Sequence, residues 1–262
     1  MPPVVLIMID GLRPEAAIPD HCPNLCAVLA RGAFSLNASS VTPSITLPCH
    51  TSIFHSVPPA RHGITSNDWH PMARPLPGIV EAAHAAGKKC AFIYNWEPLR
   101  DLCRPGHLAL ALFKDCAYDY DGDVWVADEA VRLLRAERLD FVFVYLGTVD
   151  TMGHLAGWLS PDYLKHARFV DEQLGRVLAA LPEDSHVLIL SDHGGHDRDH
   201  GSDSPEDMTT VWAVAGPRIR RNHAIAVPVS LLETAPTLAR LLDVPPHPHW
   251  EGRAPEEIFV AD

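Results

Sequence analysis

The sequence predicts an α/β fold, a largely parallel central sheet with helices on both faces. Its apolar runs 4–9, 90–94, 141–146, 186–190 and 210–215 have strand length and no polar alternation, the pattern of strands buried on both sides. Between them lie longer stretches with apolar residues three and four apart, the spacing of amphipathic helices. The two patterns alternate along the chain with no internal repeat and no low-complexity segment, as βα units stacked into one sheet do. With 262 residues, 47% hydrophobic and 21% charged, the chain reads as a single domain over 1–262 with a sizeable core.

Val4–Ile9 is the first strand, closed by Asp10-Gly11. Pro23 opens a helix that runs to about Arg31, and Gly32 stops it. The stretch 39–56 carries too many hydroxyls and prolines for a core strand, and Pro43 and Pro48 fix its backbone. A helix start is expected at Leu47-Pro48, with Thr46 just before it, where free amides can hold an anion. Residues 58–63 read as a loop. A short helix over 76–86 ends at Gly87, before the strand 90–94. From Asn95 to Asp123 the pattern is irregular, with Pro98, Pro105 and several aromatics. This segment is either a small lid facing the substrate or an ordinary surface connection. An amphipathic helix covers 124–137, and the strand 141–146 follows. A long helix is expected over 161–181, capped by Ser160 and burying Leu164, Val170, Leu174, Val177, Leu178 and Leu181. The strands 186–190 and 210–215 and a helix over 229–242 complete the chain.

Composition removes several function classes. A net charge of −12 argues against a nucleic-acid polymer as partner, because phosphate backbones need concentrated Lys and Arg. Small phosphate substrates stay open, since bound cations can supply the positive charge. The apolar start is too short and lacks the basic flank of a signal peptide, and no run reaches the roughly 18–20 residues of a membrane span. Six cysteines without a CxxC pair predict reduced thiols and a cytoplasmic protein. Oligomeric state is not readable.

Chemistry concentrates at three strand ends. The runs 4–9, 141–146 and 187–190 are followed by Asp10, Asp150 and Asp192. In an open α/β sheet, ligands bind at the C-terminal ends of parallel strands. One such Asp is usually a turn former. Here Asp150 is followed by His154 and Asp192 by His193, and His200 follows in Gly195-His196-Asp197-Arg198-Asp199-His200. Buried carboxylates without partners are costly, and a pair of divalent cations balances them. Three Asp and three His suit two zinc ions, or less well two manganese ions, and the absence of Cys ligands removes structural zinc. Two cations also activate a hydroxyl nucleophile, for which Thr46 is best placed. Gly194-Gly195 is expected to turn the chain tightly so that His200 reaches the second cation.

This ordered set resembles the alkaline phosphatase superfamily, specifically its type I phosphodiesterase/nucleotide pyrophosphatase branch. The matching pieces are Ile9-Asp10-Gly11-Leu12-Arg13-Pro14, Thr42-Pro43-Ser44-Ile45-Thr46-Leu47-Pro48-Cys49-His50, Arg61-His62-Gly63-Ile64 with Asn67, Asp150 with Gly153-His154, and Ser191-Asp192-His193-Gly194-Gly195. Each is weak alone, and together they span nearly the whole chain in the family's order. The resemblance implies that Asp10, Asp192 and His193 hold one zinc, which Thr46 Oγ also ligates as the nucleophile. Asp150, His154 and a third histidine hold the other. That histidine is taken as His200, with His196 and His223 as alternatives. Asn67 donates to a non-bridging phosphate oxygen, and His50 and His62 orient the nucleophile loop.

A formylglycine sulfatase needs Cys-x-Pro-x-Arg, which Thr46-Leu47-Pro48-Cys49-His50 does not match. A phosphomutase of the superfamily carries a large cap domain, for which 95–123 is too short. A non-catalytic metal-binding relic would lack a nucleophile or ligand, and none is missing. No Arg or Lys stands beside Thr46, so charge matching favours a small diester, pyrophosphate or phosphonate over a monoester.

Overall fold

The computed structural model describes residues 2–260; Met1, Ala261 and Asp262 of the expected 1–262 unit lie outside them. In chain order the elements are β1 (Val4–Ile9), α1 (Pro23–Arg31), β2 (Ala33–Ser39), α2 (Thr46–His55), α3 (Pro59–His62), α4 (Ile79–Ala85), β3 (Cys90–Tyr94) and β4 (Leu110–Phe113). They continue with α5 (Gly122–Ala136), β5 (Phe141–Leu146), α6 (Thr148–Ala156), α7 (Pro161–Ala180), β6 (His186–Leu190), α8 (Pro205–Met208), β7 (Thr209–Ala215), β8 (His223–Ala224) and α9 (Thr234–Leu241).

One sheet orders its strands β4-β3-β5-β1-β6-β7-β2-β8. Only β7 runs against the rest, pairing antiparallel with both β6 and β2. The centre is β5-β1-β6, three parallel neighbours in which every residue is buried. Alternation along β1 shows why continuous apolarity is needed there. Val4, Leu6 and Met8 pack with α2, α4 and α9 on one face. Val5, Ile7 and Ile9 pack with α1, α5 and α7 on the other. A strand covered on both sides has no polar position to spare.

The long helix forms as its signals predict. Ser160 Oγ accepts the amide of Tyr163 at 3.2 Å, Pro161 occupies the first turn, and Val170, Leu174 and Val177 are buried, while Leu164, Leu178 and Leu181 are only half-buried and the helix ends at Ala180. Four expectations change. The helix expected over 76–86 is Ile79–Ala85, because Pro77 disfavours helical backbone at Leu76. The final helix is a 3₁₀ turn, Leu231–Glu233, followed by α9. The loop expected at 58–63 holds the four-residue helix α3. The irregular 95–123 segment contributes β4, which pairs with β3 at the sheet edge. None of the helices among the described residues is long and apolar enough to cross a membrane.

Candidate metal centre

The topology delivers the three carboxylates to one place. Asp10 directly follows β1, and Asp192 comes two residues after β6. Asp150 lies in the first turn of α6, which starts two residues after β5. Gly11 turns the chain at φ 67° and its amide donates to Asp192 Oδ1 at 3.2 Å. A Cβ at Gly11 would stand 3.0 Å from the Cα of Asp150, so the approach of these segments requires glycine. Two groups form: Asp10, Asp192 and His193, all buried, and Asp150, His154 and His200, at the lip. Within each, one ligand atom per residue lies within 4.8 Å of the others. The rings of His193 and His200 stack between them at 3.8 Å.

Hydrogen bonds fix how each histidine faces. His193 Nδ1 donates to Gly194 O at 2.8 Å, His154 Nδ1 to Arg198 O at 2.9 Å and His200 Nδ1 to Ser44 O at 2.8 Å. The proton on Nδ1 leaves Nε2 of all three with an outward lone pair, which in His193 also lies within reach of the Thr46 hydroxyl. Nε2 of His193 faces Asp10 Oδ1 at 3.3 Å and Asp192 Oδ2 at 3.5 Å. Nε2 of His154 and of His200 face the two oxygens of Asp150 at 3.5 and 3.6 Å. Asp10 Oδ1, Asp150 Oδ1 and Asp192 Oδ2 are buried and accept no hydrogen bond. Lone pairs converging on lone pairs is an arrangement that a cation stabilises and a proton-poor protein does not. The nitrogen and oxygen donors fit zinc, or manganese less well.

The electrostatics agree. Burial, and then repulsion from Asp192 and Asp150, push the Asp10 carboxyl well above its usual range. Asp192 is pushed up to about 7 by burial and by Asp150, against the pull of the Gly11 amide. Burial and the neighbouring His200 hold His193 well below the ordinary imidazole value, which keeps it a neutral ligand.

Thr46 is the first residue of α2, and its Oγ1 lies 3.2 Å from His193 Nε2. His50, one turn on, donates from Nδ1 to Thr46 O at 2.8 Å, with Asp192 Oδ2 3.4 Å away. It ties the nucleophile helix to the buried group. His62 bonds Ser52 Oγ at 3.0 Å and accepts the amide of Ile64 at 3.1 Å, bracing α2 against the loop that carries Asn67. Asn67 Oδ1 accepts the Leu47 amide at 3.0 Å, and the exposed side chain lines the cleft. The cleft of about 100 Å³ is lined by Asp10, Thr46, Asn67, Tyr145, Asp150 and His200 among others, and by no Lys or Arg among the described residues. A larger, mostly apolar cavity of about 580 Å³ beside α2 and α4 contains none of these ligands.

Of the three histidines considered for the second group, only His200 reaches it. His196 is paired with Asp207 at 2.7 Å, and His223 with Glu257 at 2.8 Å next to the sheet edge. The glycines act differently from expectation. Neither Gly194 nor Gly195 has positive φ. They are needed for space, since a Cβ at Gly195 would stand 2.2 Å from the ring of Trp158. That indole donates to Gly11 O at 2.9 Å and contacts His154 and His200 edge-on, packing the second group against the turn after β1. Tyr145, whose hydroxyl donates to Asp10 Oδ2, joins the site without belonging to any sequence motif. The sequence signal for it is weak but real: a phenol in an otherwise apolar buried strand must find a partner.

A model of the type I phosphodiesterase/nucleotide pyrophosphatase family matches residues 4–213. Ectonucleotide pyrophosphatase/phosphodiesterase family member 3 of Rattus norvegicus is 26% identical over 223 residues, 74% of this chain and 25% of that protein. The 2,3-bisphosphoglycerate-independent phosphoglycerate mutase of Cellvibrio japonicus is 30% identical over 132 residues, 49% of this chain and 25% of that protein. The chain thus spans about a quarter of the length of these curated relatives. Among solved structures, an inactive form of murine ectonucleotide pyrophosphatase/phosphodiesterase 5 in complex with AMP superposes with a TM-score of 0.79 at 15% identity, over 95% of this chain and 97% of that one. A 2-O GAG sulfatase gives 0.78 at 16% identity, over 96% and 72%. The fold is alkaline phosphatase-like.

Proposed function

The chain belongs to the type I phosphodiesterase/nucleotide pyrophosphatase family, and we propose that it hydrolyses phosphodiester or pyrophosphate bonds through a phospho-threonine at Thr46. The observation that carries this reading is Thr46 Oγ1 at the rim of the buried group, 3.2 Å from His193 Nε2. In the first displacement Oγ gives up its proton and bonds to phosphorus, and the bond to the leaving oxygen breaks, that oxygen taking the electron pair and a proton. In the second, water loses a proton and adds to phosphorus, the Oγ–P bond breaks, and the departing Thr46 Oγ takes the electron pair and that proton. Asp10, Asp192 and His193 would hold one divalent cation and Asp150, His154 and His200 another. Zinc in these places supplies positive charge and lowers the pKa of a nearby hydroxyl. Asn67 Nδ2 is a fixed donor for a non-bridging oxygen. The N-terminus of α2 adds its partial positive charge next to Thr46.

Charge matching supports a diester. Three carboxylates against two divalent cations leave one net positive charge, and no Lys or Arg lines the cleft to meet the second charge of a monoester. Tyr118, held by Trp96 Nε1 at 3.3 Å and largely exposed, offers an aromatic face at the cleft, and the AMP bound to the murine relative supports a nucleotide as the organic group. Trp96, Ala117 and Tyr118 line the cleft, which supports a substrate-facing role for the ends of the 95–123 segment. The six unpaired thiols support a cytoplasmic setting.

Zinc-loaded protein is expected to cleave bis-p-nitrophenyl phosphate with kcat/KM at least about tenfold above that for p-nitrophenyl phosphate, a difference of roughly 1.4 kcal/mol in transition-state stabilisation. A preference for the monoester would overturn the charge argument. The identity with the phosphoglycerate mutase keeps phosphoryl transfer as a second reading. Phosphate release that falls on adding a sugar phosphate acceptor, with a phosphorylated acceptor appearing, would favour it.

A further inference from the structure

We propose that Asp123 is a positioning residue, which caps α6 from the neighbouring helix and so fixes Asp150 and His154 in the geometry of the second group. This rests on the reading of that group as a cation site. Gly147 precedes α6 at the capping position and has no side chain to cap it, so the first amides need acceptors from elsewhere. Asp123, in the first turn of α5 and fully buried, provides them. Its Oδ1 accepts Gly147 N and Asn95 Nδ2, both at 2.9 Å. Its Oδ2 accepts Thr148 N at 3.1 Å and Thr148 Oγ1 at 2.6 Å. Among the described residues no Lys or Arg donates to it. Burial pushes its carboxyl upward, and the four donors oppose that shift, so the charged form depends on this clamp.

The consequence falls on the site because of where α6 places its ligands. Asp150 is two residues beyond Thr148, and His154 is four beyond Asp150 on the same helix face. A small rotation of the helix start would move both together, away from His200 on the other loop. His166 Nε2 donates to Thr148 Oγ1 at 2.7 Å and holds the hydroxyl in line for Asp123. The fold contains a matched cap with no ligand attached. Asp171 of α7 accepts the amides of Asn24 and Leu25, both at 2.9 Å, at the start of α1, and it is equally buried. A purely structural role for Asp123 would make the two carboxylates equivalent.

The test compares Asp123→Asn with Asp171→Asn in the full chain, reading zinc dissociation constants by chelator competition, melting temperature and kcat. In Asp123→Asn an amide NH₂ faces backbone donors. One of the two zinc constants is expected to weaken about 10- to 100-fold while the other holds, and excess zinc restores much of kcat. Asp171→Asn is expected to lower the melting temperature with both zinc constants within about twofold of wild type. Equal melting losses with unchanged zinc constants in both variants overturn the proposal. If Asp123→Asn does not fold, Thr148→Val removes one donor and must shift the same constant in the same direction. Wild-type protein whose zinc stoichiometry matches that of Asp150→Asn overturns the reading of the second group itself, and this inference with it.

Discussion

Thr46→Ala is expected to lose at least about a thousandfold in kcat on an activated phosphodiester, roughly 4 kcal/mol of barrier, while keeping its fold and wild-type zinc content. The change removes the attacking oxygen and one methyl group from a residue at the N-terminus of α2. The backbone contacts that hold the segment do not depend on that side chain. His50 still bonds the carbonyl of residue 46, and Asn67 still accepts the Leu47 amide. The five carboxylates and imidazoles other than His193 that compose the two groups make no hydrogen bond with Oγ1. Thr46→Ser, which retains the hydroxyl, should recover most of the lost rate and so separate loss of the nucleophile from loss of packing. Elemental analysis and melting temperature give the controls. Unchanged hydrolysis by the alanine variant would remove Thr46 from the mechanism.

What could be read from the sequence follows how local each signal is. Asp10, Asp192 and His193 were legible because two buried strands announce themselves by continuous apolarity and their ends have one destination. β2 was not, because near the sheet edge it exposes Leu36 and Asn37 and loses the buried-strand pattern. β4 is four residues long with alternate exposure and lies between irregular turns. α6 was missed because it starts two residues after β5, has no capping side chain and includes Gly153. Its cap lies 25 residues earlier in the chain, at Asp123, where no local pattern can show it. The choice among His196, His200 and His223 was likewise tertiary. It turns on the loop carrying His200 folding back onto Ser44, and on acidic partners for the other two.

Asp192→Asn is expected to separate stability from activity, lowering kcat/KM by about a thousandfold or more and emptying the buried group of zinc, while making the metal-free chain more stable at pH 8. The amide oxygen can still accept the Gly11 amide that Asp192 Oδ1 accepts at 3.2 Å, so the turn after β1 is kept. Its NH₂ then takes the place of Oδ2, which in the wild type has no hydrogen bond and faces His193 Nε2 at 3.5 Å. A donor now meets the imidazole lone pair, and a repulsive contact becomes a hydrogen bond without any cation. The charge that repels Asp10 and Asp150 is gone as well. The sign with pH follows from the raised carboxyl. Asp192 is pushed to about 7 in the folded chain, against about 3.9 unfolded, so wild type loses its contribution as pH rises toward and through 7. The variant carries no such loss, and its advantage without metal should grow from about pH 4 to 8, reaching on the order of a few kcal/mol. With zinc present the order reverses, because only the carboxylate completes the ligand set. Melting curves with and without chelator at pH 5 and pH 8, together with zinc content, measure all of this. Retention of both ions by Asp192→Asn, or a metal-free variant less stable than wild type at pH 8, would mean that the converging lone pairs are not held in place for a cation.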